Sequence, residues 1–279
     1  HIELLASDRV TGSLMAQNTR HRNLSHVYRE LLDQEGNELY VRTLPELAGE
    51  RFHALPSLFP WAVPIGVVRP GQQPGRWRDQ LCPPLDYRVH EDDYLVFICE
   101  AFSHCEPLKA EPEADAPLEP LVYTEREPPT RRVLVLGWSH MLAALLEGFD
   151  GFERQRHEVH VLSTVQMGAR ARQMRGYDLN LEHVTVHHHA GDYTLLSDLR
   201  RVEPGSFDHV ILLASDWVGS AEESDARTIV GFLLLGELLG ALPEGAHRPE
   251  ILVELTDESN QELIEGMGAE ILVSAVLEG

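Results

Sequence analysis

The feature that most constrains this chain is an alternation, through its second half, of short β-forming runs with stretches of helical pattern. The runs RVLVLG (132–137), EVHVLS (158–163), VTVHH (184–188), DHVILLA (208–214), EILVELT (250–256) and EILVS (270–274) are rich in Val, Ile and Leu and shorter than an ordinary helix. Apolar strands separated by helices suit a parallel sheet buried on both faces. The reading is an α/β fold, a Rossmann-like, doubly wound parallel sheet of six strands over residues 131–279. The helix expected between the fourth and fifth strands, 222–242, carries Ile229, Val230, Phe232, Leu233, Leu234, Leu238 and Leu239 around more than one stripe. That pattern means burial on both sides or a face kept for another subunit.

The first half reads differently. Helical segments at 2–19 and 24–33 precede short strands at 38–43, 62–69 and 94–100, punctuated by Gly49, Gly66, Gly71, Gly75 and Pro83-Pro84. This predicts a small α+β lobe of antiparallel strands within residues 1–105. Between the halves, residues 106–130 hold repeated prolines and seven acidic side chains, too few apolar groups to offset the entropy of ordering, and read as a linker.

Composition excludes several classes. With 45 Asp and Glu against 23 Lys and Arg, the net charge of −22 argues against nucleic acid and anionic membrane surfaces as partners. The longest apolar stretch, 228–242, is broken by Glu237 and falls short of a bilayer span, so the chain reads as soluble. Cys82, Cys99 and Cys105 are an odd number with no CxxC pair, which fits a reducing compartment rather than a disulfide framework or a cysteine zinc site. The chain begins at His1 without Met or a signal-like segment and is expected to be a fragment of something longer.

RVLVLGWS, the Ala190-Gly191-Asp192 triplet after the third strand, FDHVILLASD and SDARTIVGFLLL together resemble the nucleotide-binding lobe of an RCK (TrkA-N) domain, in particular that of the CASTOR/POLLUX family of ion channels. GSLMAQNTRHRNLSHVYRELL resembles the linking helices of a preceding RCK domain, and GNELYVRTLPELAGERFHALPSLFPWAVPIGVVR with CPPLDYRVHEDDYLVFICE resembles its small C-terminal lobe. The resemblance implies a cytosolic gating-ring segment of a cation channel. It further implies self-association, as a dimer in the isolated chain and a fourfold ring in the parent, with membrane contact only through a pore domain absent from this chain.

Ligands of open α/β sheets sit beyond the carboxyl ends of the strands at the point where strand order reverses. The expected contacts there are Gly137, Trp138, Ser139, Ser163, Gly191, Asp192 and Ser215. Only the first glycine of G-x-G-x-x-G is present, Trp138 would occupy space beside the phosphate path, and Ser163-Thr164 offer the ribose no carboxylate, so NAD is disfavoured. GWS also reads as a tight strand-to-helix turn with the Ser139 hydroxyl capping the helix, and an anion at that helix start stays open. Asp192 and Asp216 are the candidate metal ligands, with Ca²⁺ as the ion, whereas Glu222 and Glu223 read as complements to a helix N-terminus. Of His187, His188 and His189, at most two can converge on one ion, because consecutive strand residues face opposite ways; the preferred reading is a strand end with one inward imidazole.

No G-x-S-x-G, HExxH or Cys/His pattern supports catalysis, and no enzyme activity is expected. Three functions remain open: a ligand-sensing segment of a CASTOR/POLLUX-like channel, first; an NAD(P)-binding oxidoreductase domain; and a soluble TrkA-like subunit of potassium uptake.

Overall fold

A computed structural model of the chain describes residues 7–21, 24–32, 36–71, 77–84, 86–109, 130–177 and 179–274. In chain order the elements are helices α1 (Ser7–Asn18) and α2 (Leu24–Leu32) and strands β1 (Glu38–Thr43), β2 (Val63–Pro70), β3 (Trp77–Leu81) and β4 (Tyr94–Cys99). There follow β5 (Thr130–Leu136), α3 (Met141–Asp150), β6 (Arg156–Ser163), α4 (Met167–Arg175), β7 (Val184–Ala190), α5 (Leu196–Arg201), β8 (His209–Leu212), α6 (Ala221–Gly240), β9 (Glu250–Leu255) and β10 (Glu270–Val273). Two compact units result, the smaller holding β1 to β4 and the larger holding α1 with everything from β5 onward. The expected acidic linker lies for the most part outside the described residues.

All strands of the larger unit run parallel, in the order β10-β9-β8-β5-β6-β7. Counted from β5, this is the 3-2-1-4-5-6 order of a dinucleotide-type fold, reversing direction between β5 and β8. Alternation along β5 sends Val133 and Val135 to one face and Leu134 and Leu136 to the other. α5 and α6 cover the Leu face through Leu199, Phe232, Leu235 and Leu239. α3 covers the Val face through Leu142, Leu145 and Phe149.

The opening helix corrects the expected domain division. Assigned by sequence to the small lobe, α1 packs instead on α3, with Met15 and Ala16 buried in the same apolar cluster as Leu142 and Phe149. Glycines make the approach possible: a Cβ on Gly12 would stand 2.6 Å from the backbone of Ala144, and one on Gly148 would stand 2.9 Å from the Cβ of Ala16. Met15 is therefore covered within the chain.

The smaller unit is an antiparallel sheet in the order β1-β4-β2-β3 with a bulge between Pro64 and Gly66. Its core gathers Leu55, Leu58, Phe59, Val67, Leu95 and Phe97. All three cysteines are free; Cys99 and Cys105 are buried with their sulfurs 3.5 Å apart, and burial pushes the Cys105 thiol up to about 12.

Close helix crossing sets a size limit. Gly12→Leu or Gly148→Leu is expected to lower folding stability by about 1–3 kcal/mol, the usual range for overpacking. Gly236→Ala, where an added Cβ meets nothing within 4 Å, should instead raise it by roughly 0.5–1 kcal/mol through helix propensity. Chemical denaturation of the three variants checks both directions.

Candidate functional site

β5 ends at Leu136 and the chain turns sharply at Gly137, whose φ of 111° is open to glycine and whose Cβ, if present, would press 2.8 Å from the Leu213 carbonyl. Trp138 follows that turn. It is buried, its indole N–H donates to Gln173 at 2.7 Å, and the Arg170 guanidinium lies 5.4 Å from its ring centroid. The Ser139 hydroxyl accepts the Met141 N–H at 3.2 Å, as the capping reading anticipates, although the helix proper begins one residue later than that reading implies.

The anion position at the start of α3 is taken by the protein itself. The His140 N–H donates to Asp216 at 3.0 Å, and the imidazole Nδ1 lies 2.8 Å from the same carboxylate oxygen. A carboxylate at a helix N-terminus complements its positive end and repels any phosphate approaching there.

Beyond the strand ends lies a cleft of about 520 Å³. Five of the expected contacts, Gly137, Trp138, Ser163, Asp192 and Ser215, line it, whereas Ser139 and Gly191 do not. Several of the five serve the frame: the Ser163 hydroxyl accepts the Val165 N–H, and the Ser215 hydroxyl donates to the Trp138 carbonyl. Arg170, fully buried, donates to the carbonyls of Ser163, Val165 and His189, tying the ends of β6 and β7 to the loop between β6 and α4. Gly191 is needed for packing, since a Cβ would meet Arg201, Asp198 and Leu162 within 3 Å.

Asp192 is engaged through one carboxylate oxygen. Its Oδ1 accepts from the Thr194 amide and hydroxyl and, at 2.7 Å, from Arg227. Burial opposes its charge, but the Thr194 donors and the Arg227 cation outweigh that and hold the carboxyl below its ordinary range. Arg227 also lies over the Tyr193 ring, which in turn fills the notch left by Gly231 on α6. The groups left to face a ligand are ones the sequence reading missed: Arg172, Arg227, Thr164 and the half-exposed Trp217. Arg227 was legible in part, because the second turn of α6 is the end of that helix nearest the switch point.

A second cleft of about 450 Å³ holds Ser139, His140, Asp216, Ser224, Glu254 and Ser274. Asp216 therefore lines a different cleft from Asp192, and the expected joint cation site is not assembled: one carboxylate is bonded to Arg227, the other to His140. Asp225 is likewise spent on structure, accepting from Thr256, Asp257 and Asn260. Glu254 is buried and accepts the Ala214 N–H at 3.0 Å; burial pushes its carboxyl up to about 7, against the pull of that N–H and of His140, with Asp225 adding to the rise.

Comparison with known proteins follows from this geometry. The family described as “Castor and Pollux, part of voltage-gated ion channel” matches residues 8–115. Probable ion channel CASTOR of Oryza sativa subsp. japonica is 26% identical over 241 residues, a match covering 85% of this chain and 26% of that protein. The chain is similar to CASTOR and POLLUX channels. The probable ion channel POLLUX of the same plant is also 26% identical over 241 residues, and the ion channel DMI1 of Medicago truncatula is 25% identical over 243. The CASTOR/POLLUX-like chain spans about a quarter of the length of these relatives. The fold is shared with a solved structure of the human SLO3 gating ring, which superposes with a TM-score of 0.59 at 13% identity, covering 98% of this chain and 57% of that one.

Glu254 predicts a pH dependence. Its carboxyl titrates near 7 when folded and near 4.5 when not, so the native state keeps the proton in between; the associated stability is present below 4.5 and lost as pH rises to about 7. Glu254→Gln, which keeps an acceptor for Ala214, should match wild type at pH 4 and exceed it at pH 8 by roughly 3 kcal/mol. Denaturant titrations at both values measure the difference; equal gains at both would refute the assignment.

Proposed function

We propose that this chain is the ligand-sensing, cytosolic regulatory segment of a CASTOR/POLLUX-like cation channel, acting by assembly into a ring whose shape depends on what the switch-point cleft holds. The observation that carries the reading is the collinear match to those channels over 85% of the chain, on a gating-ring fold. Among the described residues no helix is long and apolar enough to cross a membrane, so the reading leaves conduction to a pore domain.

The cleft chemistry refines the ligand. Arg172 and Arg227 against the single carboxylate of Asp192, with the Thr164 hydroxyl and the Trp217 ring alongside, favour a small anionic ligand with a flat face. NAD suits it poorly, since Asp216 already occupies the start of α3. Calcium at Asp192 or Asp216 would compete with the Arg227 or His140 partner already on that carboxylate. An NAD⁺ titration separates this reading from the oxidoreductase: millimolar or weaker binding is expected, and a dissociation constant in the low micromolar range would shift the assignment.

Assembly is the second test. On α6 the buried face leaves Val230 and Leu233 outward, 44% and 47% exposed, an apolar pair suited to a neighbouring lobe. Wild type should sediment as a dimer or larger species at tens of micromolar, and Val230→Glu with Leu233→Glu should shift it to monomer. A compact monomeric wild type would count against the gating-ring reading.

A further inference from the structure

Strands β6 and β7 pair in a register that sets His160 beside His187 and Leu162 beside His189. Residues two apart on a strand share a face, so Glu158 and His160 from β6 meet His187 and His189 from β7 on one side of the sheet, along its outermost strand. His188 points the other way, toward Trp138. The histidine triplet thus supplies two imidazoles to one face, and the neighbouring strand supplies a third together with a carboxylate.

These groups converge on one point. One donor atom each from Glu158, His160 and His187 lie within 4.8 Å of one another, the one such set among the described residues. Oε1 of Glu158 stands 2.8 Å from Nε2 of His160 and 3.7 Å from Nε2 of His187. Ligands bound tetrahedrally at the usual zinc bond lengths stand roughly 3.3 Å apart, so a small shift of side chains closes the set around an ion.

The surroundings orient the donors. Oε2 of Glu158 faces Arg132, 3.7 Å away, which turns Oε1 toward the imidazoles; Arg132 is itself seated over the Phe207 ring at 4.6 Å. Nδ1 of His160 lies 2.9 Å from Nε2 of His189; without an ion the Nε2–H of His160 donates to Glu158, and an ion takes the place of that proton with Nδ1–H then donating to His189. Metal-bound histidines carry such a partner on the other ring nitrogen. His187, with its side chain 46% exposed, gives an ion a way in.

We propose that Glu158, His160 and His187 form a binding site for a divalent transition metal of the zinc class, with water at the fourth position and His189 positioning His160. Two imidazoles and one carboxylate suit zinc and its neighbours, whereas calcium requires six or more oxygen ligands. Three protein ligands and an open position describe an exchangeable site rather than a closed structural one. The site rests on β6 and β7 alone and stands whether or not the channel reading does.

The test uses untagged, chelator-treated protein titrated with Zn²⁺ by calorimetry and with Co²⁺ by absorption. One equivalent of Zn²⁺ should bind at micromolar or tighter affinity, and Co²⁺ should give the intense visible bands of a four-coordinate ion. His187→Gln and Glu158→Gln, both at partly exposed positions and checked by their melting transitions, should each weaken Zn²⁺ binding at least tenfold and bleach the Co²⁺ bands. His189→Gln should weaken binding about tenfold, as loss of a positioning partner does. His188→Gln, on the opposite face, should leave affinity unchanged. Absence of saturable Zn²⁺ uptake, or losses as large for His188→Gln as for His187→Gln, overturns the proposal.

Discussion

The larger unit depends on hiding both faces of one parallel sheet. β5 and β8, side by side at its centre, bury every side chain from Val133 to Leu136 and from His209 to Leu212, so each face must be roofed by helix. On the Leu face α6 is long enough to serve with α5. On the Val face α3 has only ten residues, and α1 comes from the far end of the chain to back it. The paired glycines follow from this, because a second helix reaches the sheet side of α3 only if its backbone comes within touching distance.

Where a dinucleotide fold ordinarily presents free charge and free N–H groups, this chain has supplied its own partners. Asp216 answers the start of α3, Arg227 answers Asp192, and Arg170 answers the carbonyls at the ends of β6 and β7. Each pairing joins segments distant in sequence, so each also fixes the frame of the switch point. What faces the cleft beyond these pairs is cationic and aromatic, in Arg172 and Trp217, although the chain carries a net charge of −22. Net charge describes the whole surface; a cleft is governed by the few groups that face it.

The strands were legible because burial on two faces writes itself as uninterrupted Val, Ile and Leu, and all six appear within a few residues of their expected bounds. β7 runs further than its sequence suggests, to Ala190, since the Arg170 and His189 bond holds its end in line. The role of α1 was not legible: an apolar helical face shows that something covers it and is silent about what. The bond from the Trp138 indole N–H to Gln173 was not legible either, because it joins residues 35 apart in the chain. The triplet at 187–189 shows histidines but not His160, which becomes their neighbour only through strand register. Asp216 stood out as a lone carboxylate, while its partner His140 lies 76 residues away, a juxtaposition that only the folded chain makes.

Placing α1 on α3 also has a consequence in time. α1 ends at Asn18 and α3 begins at Met141, so the whole smaller unit is synthesised between them. Domains emerging from the ribosome fold as their sequence becomes available. The smaller unit, continuous in sequence, is complete while α1 still has nothing to pack on, and the glycine-bearing face of α1 waits, uncovered, until more than a hundred further residues have been made. The return of the first helix to the Rossmann-like unit thus crosses a loop whose closure costs little more in entropy for being long but cannot begin before α3 exists.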